Sequence, residues 1–188
     1  GALVLATGHS ARDTYRMLLR KGLPLSAKAF SVGVRVEHLQ EDIDEALYGD
    51  FAGHPALGHA EYHLSHNTHE RGVYSFCMCP GGQVVAATSE VGGVVVNGMS
   101  NHARDGKNAN SAIAVSVFPD DFGGTPEGAI DFQRRIESAA FRAGGEDYAV
   151  PVTTLGDFLT DGQGTAPARI LPTYMGGTAY RLSSPDAY

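Results

Sequence analysis

Two thiols, two guanidinium groups and a cluster of carboxamides are the groups in this sequence best suited to chemistry, and most of them fall between residues 72 and 110. Cys77 and Cys79 stand one residue apart in an apolar, β-branched-rich run. On a strand they would share a face, because side-chain direction repeats every two residues. Two thiols held together could carry redox chemistry or hold a soft metal. They could equally be small buried hydrophobes tightening a strand ahead of the turn Pro80-Gly81-Gly82. No cationic residue adjoins them in the sequence to favour a thiolate, which weighs toward the packing role. Arg35 and Arg104 could each clamp a carboxylate or a phosphate, or form an ordinary ion pair. Asn97, Asn108 and Asn110 bring amide donors and acceptors to one polar loop, although such side chains also tie turns. We read the 97–110 loop as a binding unit, because loops carried on a rigid sheet are where binding residues concentrate. His54, His59, His63, His66 and His69 include spacings of three and four, which on a helix would gather several on one face as metal ligands require. No cysteine lies among them and no nearby acid completes a recognisable ligand set, so a solvated polar stretch without metal is expected.

The elements that position these groups can be traced along the chain. Apolar runs at 73–78, 84–87 and 94–96 are separated by Gly-rich turns, and a fourth at 112–117 follows the polar loop. That pattern predicts an antiparallel meander. Residues 28–37 alternate as a strand does, 40–48 form a short acidic helix, and 50–71 are irregular. In 126–144, Ile130, Gln133, Ile136, Ala140 and Ala143 recur at helical spacing before Gly144-Gly145, which predicts the longest helix with a glycine C-cap. A strand over 148–153 and a helical turn over 154–159 follow, and residues 161–188 read as a trailing linker or loop. The order predicts an α+β fold with an antiparallel sheet and helices on one face, for which a ferredoxin-like plait is a fitting topology.

Before that domain, residues 2–8 form an apolar run ending in a small-residue turn, as a buried parallel strand does at its carboxyl end. Ser10 with Asp13 three residues on predicts a helix N-cap, and Tyr15, Leu18 and Leu19 continue the helix to Gly22. Such a strand-turn-helix can offer backbone N–H groups to an anion. The chain opens without Met in the middle of an apolar run, and we read it as an excised fragment.

With 188 residues and 43% hydrophobic content, the chain can bury one good core. Its net charge of −7 leaves no basic field for nucleic acid or anionic lipid. The apolar runs are far shorter than the roughly 20 residues a membrane helix needs. Two cysteines one residue apart cannot comfortably bond each other and make no disulfide framework. A reducing, cytoplasmic setting is expected, with no nucleic-acid or membrane partner.

Five blocks in order carry a resemblance. They are Val4-Leu5-Ala6-Thr7-Gly8-His9-Ser10-Ala11-Arg12-Asp13-Thr14-Tyr15; Phe30-Ser31-Val32-Gly33-Val34-Arg35-Val36-Glu37-His38; Phe76-Cys77-Met78-Cys79-Pro80-Gly81-Gly82; Asn97-Gly98-Met99-Ser100; and Arg104-Asp105-Gly106-Lys107-Asn108-Ala109-Asn110-Ser111. Together they resemble a bacterial family of FAD-dependent dehydrogenases of undefined substrate. The resemblance implies an FAD-binding α/β domain, of which residues 1–27 would be a remnant, and an inserted substrate-facing domain over 28–160 that packs on it. It implies that Thr7, Gly8, His9, Ser10 and Arg12 lie at the cofactor, while Arg35, Cys77, Cys79, Asn97, Arg104, Asn108 and Asn110 face a small-molecule substrate beside the flavin. The family's G-x-G-x-x-G and late G-E-G-x-G-Y-A-G-G segments do not occur in this chain. FAD is therefore expected in the full-length protein, while the fragment alone is expected to hold it poorly and to be inactive. The alternative is a non-catalytic module that mediates contacts between proteins.

Overall fold

Residues 30–39 alternate β-branched and polar side chains, and in the computed structural model, which describes residues 1–160, 162 and 169–180, they form strand β1 (Phe30–Leu39). The Ala- and Val-rich β6 (Asn108–Val117) pairs with it antiparallel along its whole length, from Phe30↔Val117 to Leu39↔Asn108. On the other side of β6 lies β3 (Gly72–Cys79), followed by the short β2 (Ser65–Asn67), giving the sheet order β1-β6-β3-β2 with every pair antiparallel. The hairpin β4 (Gly82–Ala86) and β5 (Val96–Ser100) forms a second sheet, and β7 (Val150–Val152) pairs parallel with β8 (Thr178–Tyr180) in a third.

Helix α1 (Arg12–Arg20) precedes the sheet, and α2 (Gln40–Tyr48) follows β1 directly, with Glu41 and Asp42 in the first turn, where carboxylates suit the helix dipole. The long α3 (Pro126–Gly144) has local start and stop signals. The Thr125 hydroxyl accepts from the Gly128 N–H at 3.0 Å, Pro126 takes the first helical position, and Gly145 ends the helix in left-handed backbone. A short α4 (Leu155–Thr160) follows β7. At one end of β1, Phe30 stacks on Phe122 with ring centroids 5.4 Å apart and meets Phe132 of α3 edge-on at 6.0 Å. With Val117 and Ile130 buried beside them, these rings join the sheet to α3. Among the described residues, no helix is long and apolar enough to cross a membrane.

The α+β fold with an antiparallel sheet agrees with the sequence-based expectation, as do both principal helices. Strands β1 and β3, linked through α2, run parallel with β6 antiparallel between them, which is the split βαβ unit of a plait, and the short β2 extends the sheet beyond β3. The predicted meander is interrupted because β3 pairs directly with β6, leaving β4 and β5 as a hairpin of their own. Residues 2–7 form no strand, and Leu3 and Val4 are 92% and 86% exposed. A parallel strand is stable only between covered neighbours, and among the described residues no strand lies beside that run. The N-cap of α1 is Ala11 rather than Ser10, and it makes no side-chain cap bond. Of the stretch read as a linker, residues 161, 163–168 and 181–188 lie outside the described residues, while β8 and the segment before it pack on the domain.

An ion pair pins the turn after β6. Arg71 binds both carboxylate oxygens of Asp121 and the carbonyl of Ser116, and Asp121 also accepts from the Phe118 N–H at 2.7 Å. The Arg71 guanidinium, followed by that N–H, lowers the Asp121 carboxyl from 3.8 to about 2. A depressed folded-state pKa contributes stability that is complete above the unfolded value and is lost as pH falls through the folded one. Thermal melts should therefore show Arg71→Met flattening the stability difference from wild type as pH drops from about 4 to about 2. A difference between the two proteins that stays constant across that window would remove Asp121 as its source.

Candidate functional site

Residues directly opposite on antiparallel strands share a face. The β1–β6 register therefore sets Arg35 beside Ala112 and Glu37 beside Asn110. Arg35 reaches across this face: Nη1 donates to Asn110 Oδ1 at 2.6 Å and to the Cys77 carbonyl at 3.4 Å, and Nη2 donates to Asn97 Oδ1 at 3.3 Å. All three acceptors are neutral. Among the described residues, no carboxylate forms an ion pair with Arg35. Asn110 is fully buried, and its Nδ2 has no hydrogen-bond partner among the described residues. The guanidinium fixes which way this amide points, because only the oxygen can accept from it. Gly98 of β5 passes directly over the pair. A Cβ there would lie 2.1 Å from both Arg35 Nη1 and Asn110 Oδ1, so the close approach requires glycine.

The two cysteines sit at a break in the sheet. Pairing of β3 with β6 is regular to Phe76↔Ala112 and resumes at Cys79↔Asn110, so three steps on β3 oppose two on β6. This is a β-bulge, and within it Cys77 adopts left-handed backbone with φ 51°. The bulge breaks the alternation expected of a plain strand: Cys77 is exposed and Cys79 buried, with their sulfurs 4.0 Å apart. Burial raises the Cys79 thiol pKa, as does the neighbouring Cys77, and Arg35 opposes both. A cation therefore does lie near the thiols, brought there from β1 rather than from the neighbouring sequence.

The other expected site residues divide. Asn108 is buried and donates to Glu37 Oε1 at 3.2 Å and to the Leu171 carbonyl at 2.9 Å. Glu37 also accepts from the N–H and hydroxyl of Thr173, whose oxygen in turn accepts from the Val84 N–H at 2.8 Å. Asn108 and Glu37 thus tie the 171–173 segment and the β4–β5 hairpin to the sheet. Arg104 pairs at the surface with Glu61, away from Arg35's partners. The expected 97–110 loop is the end of β5, a turn and the start of β6. Arg35, Cys77, Cys79, Asn97 and Asn110 come together; Arg104 and Asn108 serve elsewhere. Thr7, Gly8 and His9 are exposed ahead of α1, with Ser10 half-buried. Arg12 is only 2% exposed, bonded to Glu137, Glu90 and Gln133.

Sequence reasoning overlooked the polar hub behind the site. Gln40 donates to Asp44 and the Ala60 carbonyl and accepts from the Gly81 N–H at 2.9 Å, and Asp44 takes the His59 imidazole at 2.9 Å. It holds the turn after Cys79 against α2. The histidines at 54–69 lie along irregular chain and β2 rather than on one helical face. His38 and Tyr62 also went unread; they share a hydrogen bond at 3.0 Å, and burial lowers the His38 pKa against the opposing charges of Asp42 and Glu37.

A family model described as "FAD-dependent protein, C-terminal domain-like" matches residues 29–184. The chain belongs to this family. An uncharacterised protein of Clostridium beijerinckii (strain ATCC 51743 / NCIMB 8052) is 52% identical to it over 183 residues, covering 96% of this chain and 34% of that protein. The chain thus spans about a third of the length of the curated relative it matches.

Membership of the FAD-dependent protein C-terminal domain-like family makes FAD the cofactor to test against these residues. The N-terminus of α1 is uncapped by any side chain, and Gly8 ahead of it has φ 82° with open space where a Cβ would stand. That open backbone at Gly8 leaves room for one edge of a flavin, while in the first turn of α1 the Arg12 N–H already donates to the Ser10 carbonyl at 2.8 Å and the Thr14 N–H to Asp13 at 2.8 Å. The geometry does not fit a pyrophosphate cradle, since the nearest guanidinium, Arg12, is already held by two carboxylates.

Proposed function

We propose that this chain is the substrate-facing domain of a FAD-dependent oxidoreductase and that Arg35 receives an anionic group of its small-molecule substrate. When bound to the full-length protein, FAD supplies the two-electron chemistry. Thr7, Gly8, His9 and Ser10 would meet one edge of it. The observation that carries the reading is a guanidinium whose bonds all go to neutral oxygens. Charge-assisted bonds are roughly twice as strong as neutral ones, so a carboxylate or phosphate gains from meeting Arg35 on its Asn97 side, where the chain is exposed. Asn110 holds the guanidinium in place from the buried side. The hairpin crossing at Gly98 excludes water from the Arg35–Asn110 bond.

The test is Arg35→Ala in the full-length protein, with flavin reduction followed by absorbance for a panel of small carboxylate and phosphate donors. Losing a charge-assisted contact should slow reduction about ten- to hundredfold, the equivalent of about 1.5–3 kcal/mol, while the flavin spectrum stays unchanged. Arg104→Ala should change it little, because Arg104 is spent on an exposed pair with Glu61. Unchanged reduction in Arg35→Ala would overturn the assignment, and a full-length protein that binds no flavin would favour the protein-interaction module.

A further inference from the structure

In a regular strand, residues two apart are separated by about 6.6 Å along the chain axis, which keeps their side chains from bonding. The bulge after Phe76 removes that obstacle. It turns Cys77 into left-handed backbone at φ 51°, unusual for a residue other than glycine, and brings the two sulfurs to 4.0 Å. Cys77 is exposed to solvent, whereas Cys79 is buried with Asn110 opposite it on β6. Cys79 donates its S–H to the Cys77 carbonyl at 3.3 Å, and the same carbonyl accepts from Arg35 at 3.4 Å. One accessible sulfur thus stands next to one sheltered sulfur, with a guanidinium at hand. These are the parts of an attacking and a resolving thiol.

We propose that Cys77 and Cys79 form a dithiol–disulfide couple that exchanges with small, accessible dialkyl disulfides, a reaction independent of anion binding at Arg35. The Cys77 thiolate attacks one sulfur of the incoming disulfide. A Cys77–sulfur bond forms, the disulfide bond breaks, and one thiolate leaves with the electron pair. Cys79 then gives its proton to solvent, and its thiolate attacks Cys77 Sγ, forming the Cys77–Cys79 bond and expelling the second thiolate. Each leaving thiolate takes up a proton from water. The two protein thiols are oxidised, and the external disulfide is reduced to two thiols. The sulfurs must close from 4.0 Å to about 2.05 Å. Cys77 makes this movement, because its side chain is exposed and Cys79 is packed. Arg35 favours the charged form of Cys79 in the second step, against the burial that otherwise keeps it protonated. A bond across so short a span is strained, which makes it readily reduced again.

No Lys or Arg lies between Arg71 and Arg104, so trypsin releases both cysteines on one peptide. The full-length protein would be equilibrated in glutathione buffers of graded oxidised-to-reduced ratio, alkylated with iodoacetamide, digested and weighed. As the buffer becomes oxidising, alkylation of both cysteines should be lost together, leaving a peptide two hydrogens lighter than the dithiol. In Cys79→Ser, glutathione should instead remain attached to Cys77. A wild-type peptide that is doubly alkylated at every ratio, or that keeps glutathione on Cys77 without closing the internal bond, would overturn the proposal. So would a Cys79→Ser protein that takes up no glutathione.

Discussion

Replacing Arg12 by Met in the full-length protein is expected to destabilise the contact between α1 and α3 by about 3 kcal/mol, the lower end of what removing one partner of a buried ion pair costs. Arg12 is 2% exposed, and its guanidinium meets Glu137 at 2.6 Å and Glu90 at 2.9 Å, with Gln133 accepting at 3.2 Å. Glu137 and Glu90 keep 15% and 27% of their side chains exposed, which is why the lower end applies. Glu90 retains Arg134 at 3.0 Å, so the stranded charge is mainly Glu137. Adding Glu137→Gln to Arg12→Met should then recover a large part of the loss, since no unpaired charge remains. Hydrogen exchange of the α3 amides reads this directly: protection should fall in the single variant and return in the double. Equal protection in wild type and Arg12→Met would show that the pair contributes no net stability to this contact.

Arg12 also shows where the sequence stops being legible. It was expected at the cofactor, through resemblance, yet its partner Glu137 lies 125 residues away, and nothing in the local pattern points there. Features with local causes were readable. Helix α2 over 40–48 and α3 over 126–144 follow from periodicity and from Thr125, Pro126 and Gly145 at the ends. The strand β1 follows from alternation. Sheet order was not readable, because alternation says that a strand has two faces and not which strand it pairs with; β3 bypasses the nearer β4 to pair with β6. For the same reason the run at 2–7 passed for a strand although no strand among the described residues lies beside it. The bulge at Cys77 is invisible as well, since it arises from a register shift between Phe76 and Cys79. What did carry over was the grouping of Arg35, Cys77, Cys79, Asn97 and Asn110. The one local signal for that grouping is a glycine directly after Asn97, where a strand would otherwise take a side chain.

That glycine yields the other large expected effect. Gly98→Ala places a methyl group 2.1 Å from both Arg35 Nη1 and Asn110 Oδ1, and 2.8 Å from Arg35 Cζ. Of the two side chains, only Arg35 can move, because it is long and half-exposed, whereas Asn110 is short and 0% exposed. The guanidinium should therefore leave, breaking its 2.6 Å bond and stranding Asn110 Oδ1 in addition to the already unpartnered Nδ2. An unsatisfied buried polar atom costs about 1–3 kcal/mol, and forcing a methyl group into a filled space costs about 1–3 kcal/mol more. In the full-length protein, Gly98→Ala should lower stability more than Arg35→Ala does and slow flavin reduction at least as much. Because the two substitutions act on one contact, their effects should not add. Arg35→Ala removes the clash with the guanidinium and leaves the one with Asn110 Oδ1, so introducing Gly98→Ala into that background should cost less than it does in wild type but still lower stability. Denaturation midpoints for the four proteins of this cycle decide the matter: strictly additive losses would mean that Gly98 is not there to admit the Arg35–Asn110 pair.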